Sequence, residues 1–136
     1  MRTPRGFAIL SAIFILVVLA ALGAFILSVS SSQQIGSALD VQGARAYQAA
    51  RAGIEWGLFR QLQQGNCAAT TSFVPPAATL AGFTVTVTCV ATADVNGGPT
   101  VHELTSTACS EPNGGACPNT VNPGPMYVER RLEATF

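Results

Sequence analysis

The sequence predicts an α+β protein: one long N-terminal helix, transmembrane in its first half and amphipathic in its second, packed on a small antiparallel sheet. Three observations carry this. No charged residue occurs from Gly6 to Leu39, and residues 7–27 are almost wholly apolar. From the serines at 28 and 30–32 no proline intervenes until Pro75. Beyond Gly65 the chemistry turns to Thr, Val, Gly, Pro and Cys, with alternate residues apolar from Phe83 to Ala91. The 136 residues are room for one domain. Residues 1–6 read as a leader, 7–29 as the transmembrane half of the helix, 30–64 as its amphipathic half and 65–136 as the sheet domain.

Seven Arg, no Lys and seven Asp plus Glu give a net charge of zero, and only 10% of residues are charged, against about 25% in an average soluble domain. Nucleic acid is excluded as the main partner, because phosphate binding needs a basic surface. Whole-chain disorder is excluded by the 49% apolar content without net charge.

Residues 7–29 would span roughly 35 Å as a helix, enough to cross a hydrocarbon core of about 30 Å. The rest of the chain is too short to cover so apolar a cylinder on every side. Arg2 and Arg5 precede the segment, and Asp40 is the first charge after it. The positive-inside rule therefore keeps the N-terminus in the cytoplasm and places the remainder across the membrane. A secretory signal cleaved near Ala20 to Ala24 is the rival reading, but its apolar region would be long.

Residues 33–64 are rich in the helix formers Gln, Ala, Leu and Arg. Larger apolar side chains recur at Ile35, Leu39, Tyr47, Ile54, Leu58 and Leu62, and Ala46 and Ala50 fill the same stripe. Arg51 and Glu55 stand one turn apart, a pairing that adds about 0.2–0.5 kcal/mol. Gly36, Gly43, Gly53 and Gly57 each cost up to about 1 kcal/mol against Ala, and in exchange allow a neighbouring helix to approach closely. Gly65-Asn66 is the expected stop.

Phe83, Val85, Val87, Cys89 and Ala91 alternate with Thr84, Thr86, Thr88, Val90 and Thr92, a strand signal. Asn96-Gly97-Gly98-Pro99 is a turn. Val101 to Cys109 forms a second strand, with Leu104, Ser106 and Ala108 inward. Tyr127 to Phe136 forms a third, with Val128, Arg130, Leu132, Ala134 and Phe136 on one side, Arg130 being expected at the rim or paired with Glu.

Cys67, Cys89, Cys109 and Cys117 allow three disulfide pairings, and spacing does not choose between them. The preferred pairing joins Cys67 to Cys89, tying the helix end to the first strand, and Cys109 to Cys117, closing a short loop. Zinc is disfavoured, because structural zinc sites use closely paired ligands such as Cys-x-x-Cys. Outside the cytoplasm disulfides are expected, and each adds about 2–4 kcal/mol to a thin core.

Little else suggests chemistry. His102 is the sole histidine and reads as a surface or edge residue of its strand. Glu129 and Glu133 share a strand face but read as solvated rather than as an acid/base pair. Trp56 and Tyr47 read as packing residues, and Arg130-Arg131 is too small a basic patch for DNA. Residues 111–125, rich in Gly, Pro and Asn, read as an exposed connection or a partner-binding loop. No catalytic residue, cofactor or metal is expected.

Arg5-Gly6-Phe7, set directly against the apolar segment, resembles the class III signal of type IV pilins and pseudopilins. The run Gln42-Gly43-Ala44-Arg45-Ala46-Tyr47-Gln48-Ala49-Ala50-Arg51-Ala52-Gly53-Ile54-Glu55-Trp56 resembles a matching run in the MshP-type, minor-pilin-like proteins of MSHA (mannose-sensitive haemagglutinin) type IV pili, and a related pattern occurs in PilX-type minor pilins. The resemblance covers residues 1 to about 64 well and the remainder in outline. It implies cleavage by a prepilin peptidase between Gly6 and Phe7 and N-methylation of Phe7. It also implies an inner-membrane, single-pass state with a periplasmic C-terminal domain, followed by assembly into a surface pilus. The expected partners are the peptidase, other minor pilins and the major pilin, the pilins being met through the long helix.

In that family a glutamate at the fifth mature position neutralises the N-terminal amine of the subunit above. Here that position is Ser11. The resemblance therefore implies a minor pilin that primes assembly and sits at or near the tip. The alternatives are a minor pseudopilin of a type II secretion system, a tip adhesin using residues 111–125, and an uncleaved membrane anchor.

Overall fold

A computed structural model describes residues 5–136, with side chains from Ala8 onward. Helix α1 runs Arg5–Gln64. The chain divides into two units, Met1–Ala38 and Leu39–Phe136.

In the first unit the described backbone is helical throughout and its apolar side chains face outward, Leu16 being 67% exposed and Phe25 65%. This segment gives α1 a stretch that is long and apolar enough to cross a membrane, by length and composition.

The second unit contains the buried core. Its part of α1 ends as the sequence predicts. Gly65 takes φ +62°, its N–H donates to the Gln61 carbonyl (3.0 Å), and the Asn66 N–H donates to the Arg60 carbonyl (3.2 Å). With Gly65 in the left-handed region, its bond to Gln61 is the αL cap, which satisfies one of the carbonyls that every helix end leaves open.

Four strands follow in an antiparallel meander, β1 (Thr71–Phe73), β2 (Thr84–Thr92), β3 (Val101–Cys109) and β4 (Glu129–Thr135). The architecture is the expected α+β arrangement of long helix and small antiparallel sheet. β1 is an addition to it: a three-residue strand pairing Ser72 with Thr86 lies ahead of the expected first strand. The turn between β2 and β3 is built on Asp94, whose Oδ1 accepts the Asn96 N–H (2.9 Å) and whose carbonyl accepts the Gly97 N–H (3.3 Å), with Gly97 at φ +79°.

Phe83, Val85, Val87, Cys89, Leu104, Ala108 and Val128 are buried together with Ala46, Ala49 and Ala50 of α1. Alternation therefore places the inner face of β2 and β3 correctly as far as Cys89. Ala91 departs from it: the residue lies opposite His102 and is exposed.

The face that α1 buries differs from the expected stripe of larger residues. Gly43, Ala46, Ala50, Gly53 and Gly57 are buried, whereas Ile35, Tyr47 and Leu62 are exposed and Ile54 and Leu58 half-buried. The reason is close approach of the sheet. A Cβ on Gly53 would fall onto Ser106 Oγ and 2.6 Å from Val85 Cγ1, and one on Gly57 would lie 3.1 Å from both Leu104 methyls. These glycines serve the sheet, not a second helix. Gly43 makes room for Arg130, whose Nη2 would lie 2.8 Å from a Cβ there. Arg130 is thus accommodated against α1, and its Nη1 donates to the Glu129 carbonyl rather than to a carboxylate (2.9 Å).

Candidate functional site

The expected leader and its cleavage residues fall at the edge of what is described. Met1–Pro4 lie outside the described residues, and Gly6 and Phe7 are described only as helical backbone. Ser11 is on α1 among Leu10, Phe14 and Ile15.

The disulfides are Cys67–Cys89 and Cys109–Cys117. The first lies on the helix side of the sheet, since Cys89 shares its face with Val85 and Val87 and Cys67 follows the end of α1. The second lies on the opposite face, with Cys109 at the end of β3 and alternating with inward-facing Ala108.

Cys117 opens the way to a feature that alternation did not reveal. Its backbone N–H donates to Thr86 Oγ1 (2.8 Å), and Thr86 also bonds Ser72 Oγ across β1 (2.8 Å). The segment after β3 thereby covers the outer face of the sheet, and Thr86 and Thr107 are buried, not solvated. This segment is the largely exposed loop expected from composition, with one tight turn built into it. Asn113 and Ala116 exchange both backbone hydrogen bonds around Gly114 and Gly115, which have φ of +59° and +78°. Two consecutive positive φ values make this a type I′ turn, which glycine adopts without steric cost.

Tyr127 closes the same segment. Its hydroxyl accepts the Asn119 N–H (3.0 Å) and donates to Glu129 Oε2. Burial, and then the bond to Glu129, push its pKa above the usual phenol value. Glu133 instead pairs with Arg131 (2.6 Å). The two carboxylates thus have separate partners.

His102 occupies a place that sequence reasoning missed. It is half-buried on a central strand, not at an edge, and stacks on Phe136 with ring centroids 5.6 Å apart. Its Nε2 lies 3.1 Å from Gln61 Nε2. A ring nitrogen of His102 and the sulfurs of Cys67 and Cys89 all lie within 4.8 Å of one another. The signal was faint: His102 stands two residues before Leu104, the register partner of Cys89, so both side chains share one face.

Trp56 packs on Phe73 (centroids 5.1 Å apart), and Arg60 lies over the Trp56 ring at 5.3 Å. The indole thus anchors β1 to the helix, while Tyr47 is exposed. Compared with protein-family models, curated proteins and solved structures, the chain matches none.

Proposed function

We propose that this chain is a minor pilin-like subunit of an MSHA-type type IV pilus, which helps to prime assembly and sits at or near the filament tip. The observation that carries the reading is an uncharged apolar helical segment, directly after Arg5-Gly6-Phe7, in the same helix whose later turns hold a disulfide-stapled sheet. A plain anchor needs only the first of these parts. A subunit that leaves the bilayer for a filament needs both, with the small domain outside the membrane core.

Ser11 supports the tip assignment. A carboxylate in the bilayer is costly unless it meets a partner, and this chain offers none at the fifth mature position. Its own N-terminal amine can still be met from below, which suits a subunit with nothing above it.

The deciding experiment is the intact mass and N-terminal sequence of the expressed protein, with and without active prepilin peptidase. The expected result is loss of Met1 to Gly6 and gain of one methyl group on Phe7, only with peptidase. A full-length chain under both conditions would leave a membrane anchor and remove the filament reading. Ser11→Glu tests the tip assignment separately: the variant is expected to enter the filament shaft, and unchanged tip location would overturn the charge argument.

A further inference from the structure

We propose that reduction of the Cys67–Cys89 bridge exposes a metal site, in which Cys67, Cys89 and His102 hold a zinc-class dication. Two thiolates and one imidazole are a donor set that zinc favours, with a fourth position left for water. In a tetrahedral site of this kind neighbouring ligand atoms stand about 3.5–3.8 Å apart, given metal–sulfur and metal–nitrogen bonds of about 2.3 and 2.0 Å. The three candidate atoms already lie within 4.8 Å of one another, so the histidine needs only a small movement. The two sulfurs must separate, which breaking their bond permits. Among the described residues, no comparable cluster is formed at Cys109–Cys117.

The surroundings of His102 suit this role. Its Nδ1 is buried without a hydrogen-bond partner, and so is Gln61 Oε1. Rotating the Gln61 amide by half a turn sets Oε1 against a protonated Nε2 and leaves Nδ1 bare. A metal-ligating histidine uses such an arrangement, one nitrogen on the ion and the other donating to an orienting acceptor, with Nδ1 here assigned as the ligating atom. Gln61 is then a positioning residue.

The chemistry closes with a dithiol as reductant. It supplies two electrons and two protons, the Sγ–Sγ bond breaks, two thiols form, and the dithiol becomes a disulfide. Cys67 is the less buried residue of the pair. Metal capture releases both thiol protons, and the two thiolate charges balance the dication.

The test uses the full chain in detergent micelles, oxidised or reduced with a phosphine, and titrated with Co²⁺ as a spectroscopic probe. The reduced protein is expected to bind one Co²⁺ with the charge-transfer absorption of two thiolates, and the oxidised protein none. His102→Ala should weaken binding at least about tenfold, and Gln61→Leu about 10- to 100-fold. Cys109→Ser with Cys117→Ser should leave the spectrum unchanged. Zinc X-ray absorption on the reduced wild-type chain reads the ligand set without any variant, and two sulfurs with one imidazole nitrogen are expected. The proposal fails if His102→Ala binds as well as wild type, if the absorption follows Cys109 and Cys117, or if the reduced chain binds no stoichiometric metal.

Discussion

Thr86 lies on the face of β2 that simple alternation gives to solvent, yet its hydroxyl accepts a buried N–H from Cys117 and bonds Ser72. Replacing it by valine keeps the shape and removes both bonds. The Cys117 N–H would then be buried without an acceptor, and leaving such a group unpaired costs about 1–3 kcal/mol. Thr86→Val is expected to lower stability by that amount in urea denaturation, whereas Thr88→Val, at a less buried position on the same face, should change it little. Tyr127 gives a second prediction at this scale. Its folded-state pKa is raised, so the unfolded chain loses the phenolic proton first as pH rises. The stabilisation from this group is complete below about pH 10 and is lost as pH passes through the folded value. In a Tyr47→Phe background, ultraviolet titration should place the phenol midpoint above 10. Glu129→Gln should lower that midpoint only in part, because burial is the larger cause.

At the scale of the element, the helix–sheet contact rests on small residues in α1. Gly53 and Gly57 differ in what a methyl group would meet. At Gly53 it would overlap Ser106 Oγ and crowd Val85, both held in the sheet. At Gly57 it would meet the ends of the Leu104 and Val87 side chains at 3.1–3.2 Å. Alanine gains about 1 kcal/mol of helix propensity at either site, against overpacking costs of about 1–3 kcal/mol. Gly53→Ala is therefore expected to destabilise clearly and Gly57→Ala to fall near zero, as read by thermal unfolding of the two variants side by side. The contrast also marks where sequence reading succeeds. The helix stop at Gly65, the inner face of β2 to Cys89 and the Leu104-Ser106-Ala108 face of β3 follow from local rules. The buried face of α1 does not, because weighting by side-chain size favours Tyr47 and Leu62 over glycine. The small residues at 43, 46, 50, 53 and 57 were themselves the usable signal, since they repeat at helical spacing. β1 was hidden by its length: Thr71–Phe73 is too short to show a period of two. The nearness of His102 to the first bridge depends on strand register and on where α1 ends, which no local pattern specifies.

At the scale of the molecule, the distribution of buried residues separates two tasks. Every side chain of the buried core lies between Ala46 and Val128, and both disulfides lie beyond Gln64. The described residues before Leu39 contribute exposed apolar surface, and none of them belongs to that core. A fragment of residues 39–136 should consequently keep the helix–sheet core, both bridges and the Thr86 network, while losing the long exposed apolar stretch. Its helix would lose Arg5–Ala38, more than half of α1, but the turns that remain are fixed by tertiary packing rather than by propensity. The expected outcome is a soluble fragment with no alkylatable thiol, cooperative thermal unfolding and a midpoint that falls when either bridge is removed. Chain entropy makes the Cys67–Cys89 bridge the stronger of the two, because it closes a separation of 22 residues against 8. The difference is under about 1 kcal/mol on the same entropy scale, so single-bridge variants should melt in that order but close together. Alkylation with mass spectrometry and circular dichroism read all three points. A fragment that aggregates with its bridges intact would show that the apolar segment also shields the folded domain, and the separation of tasks would fail.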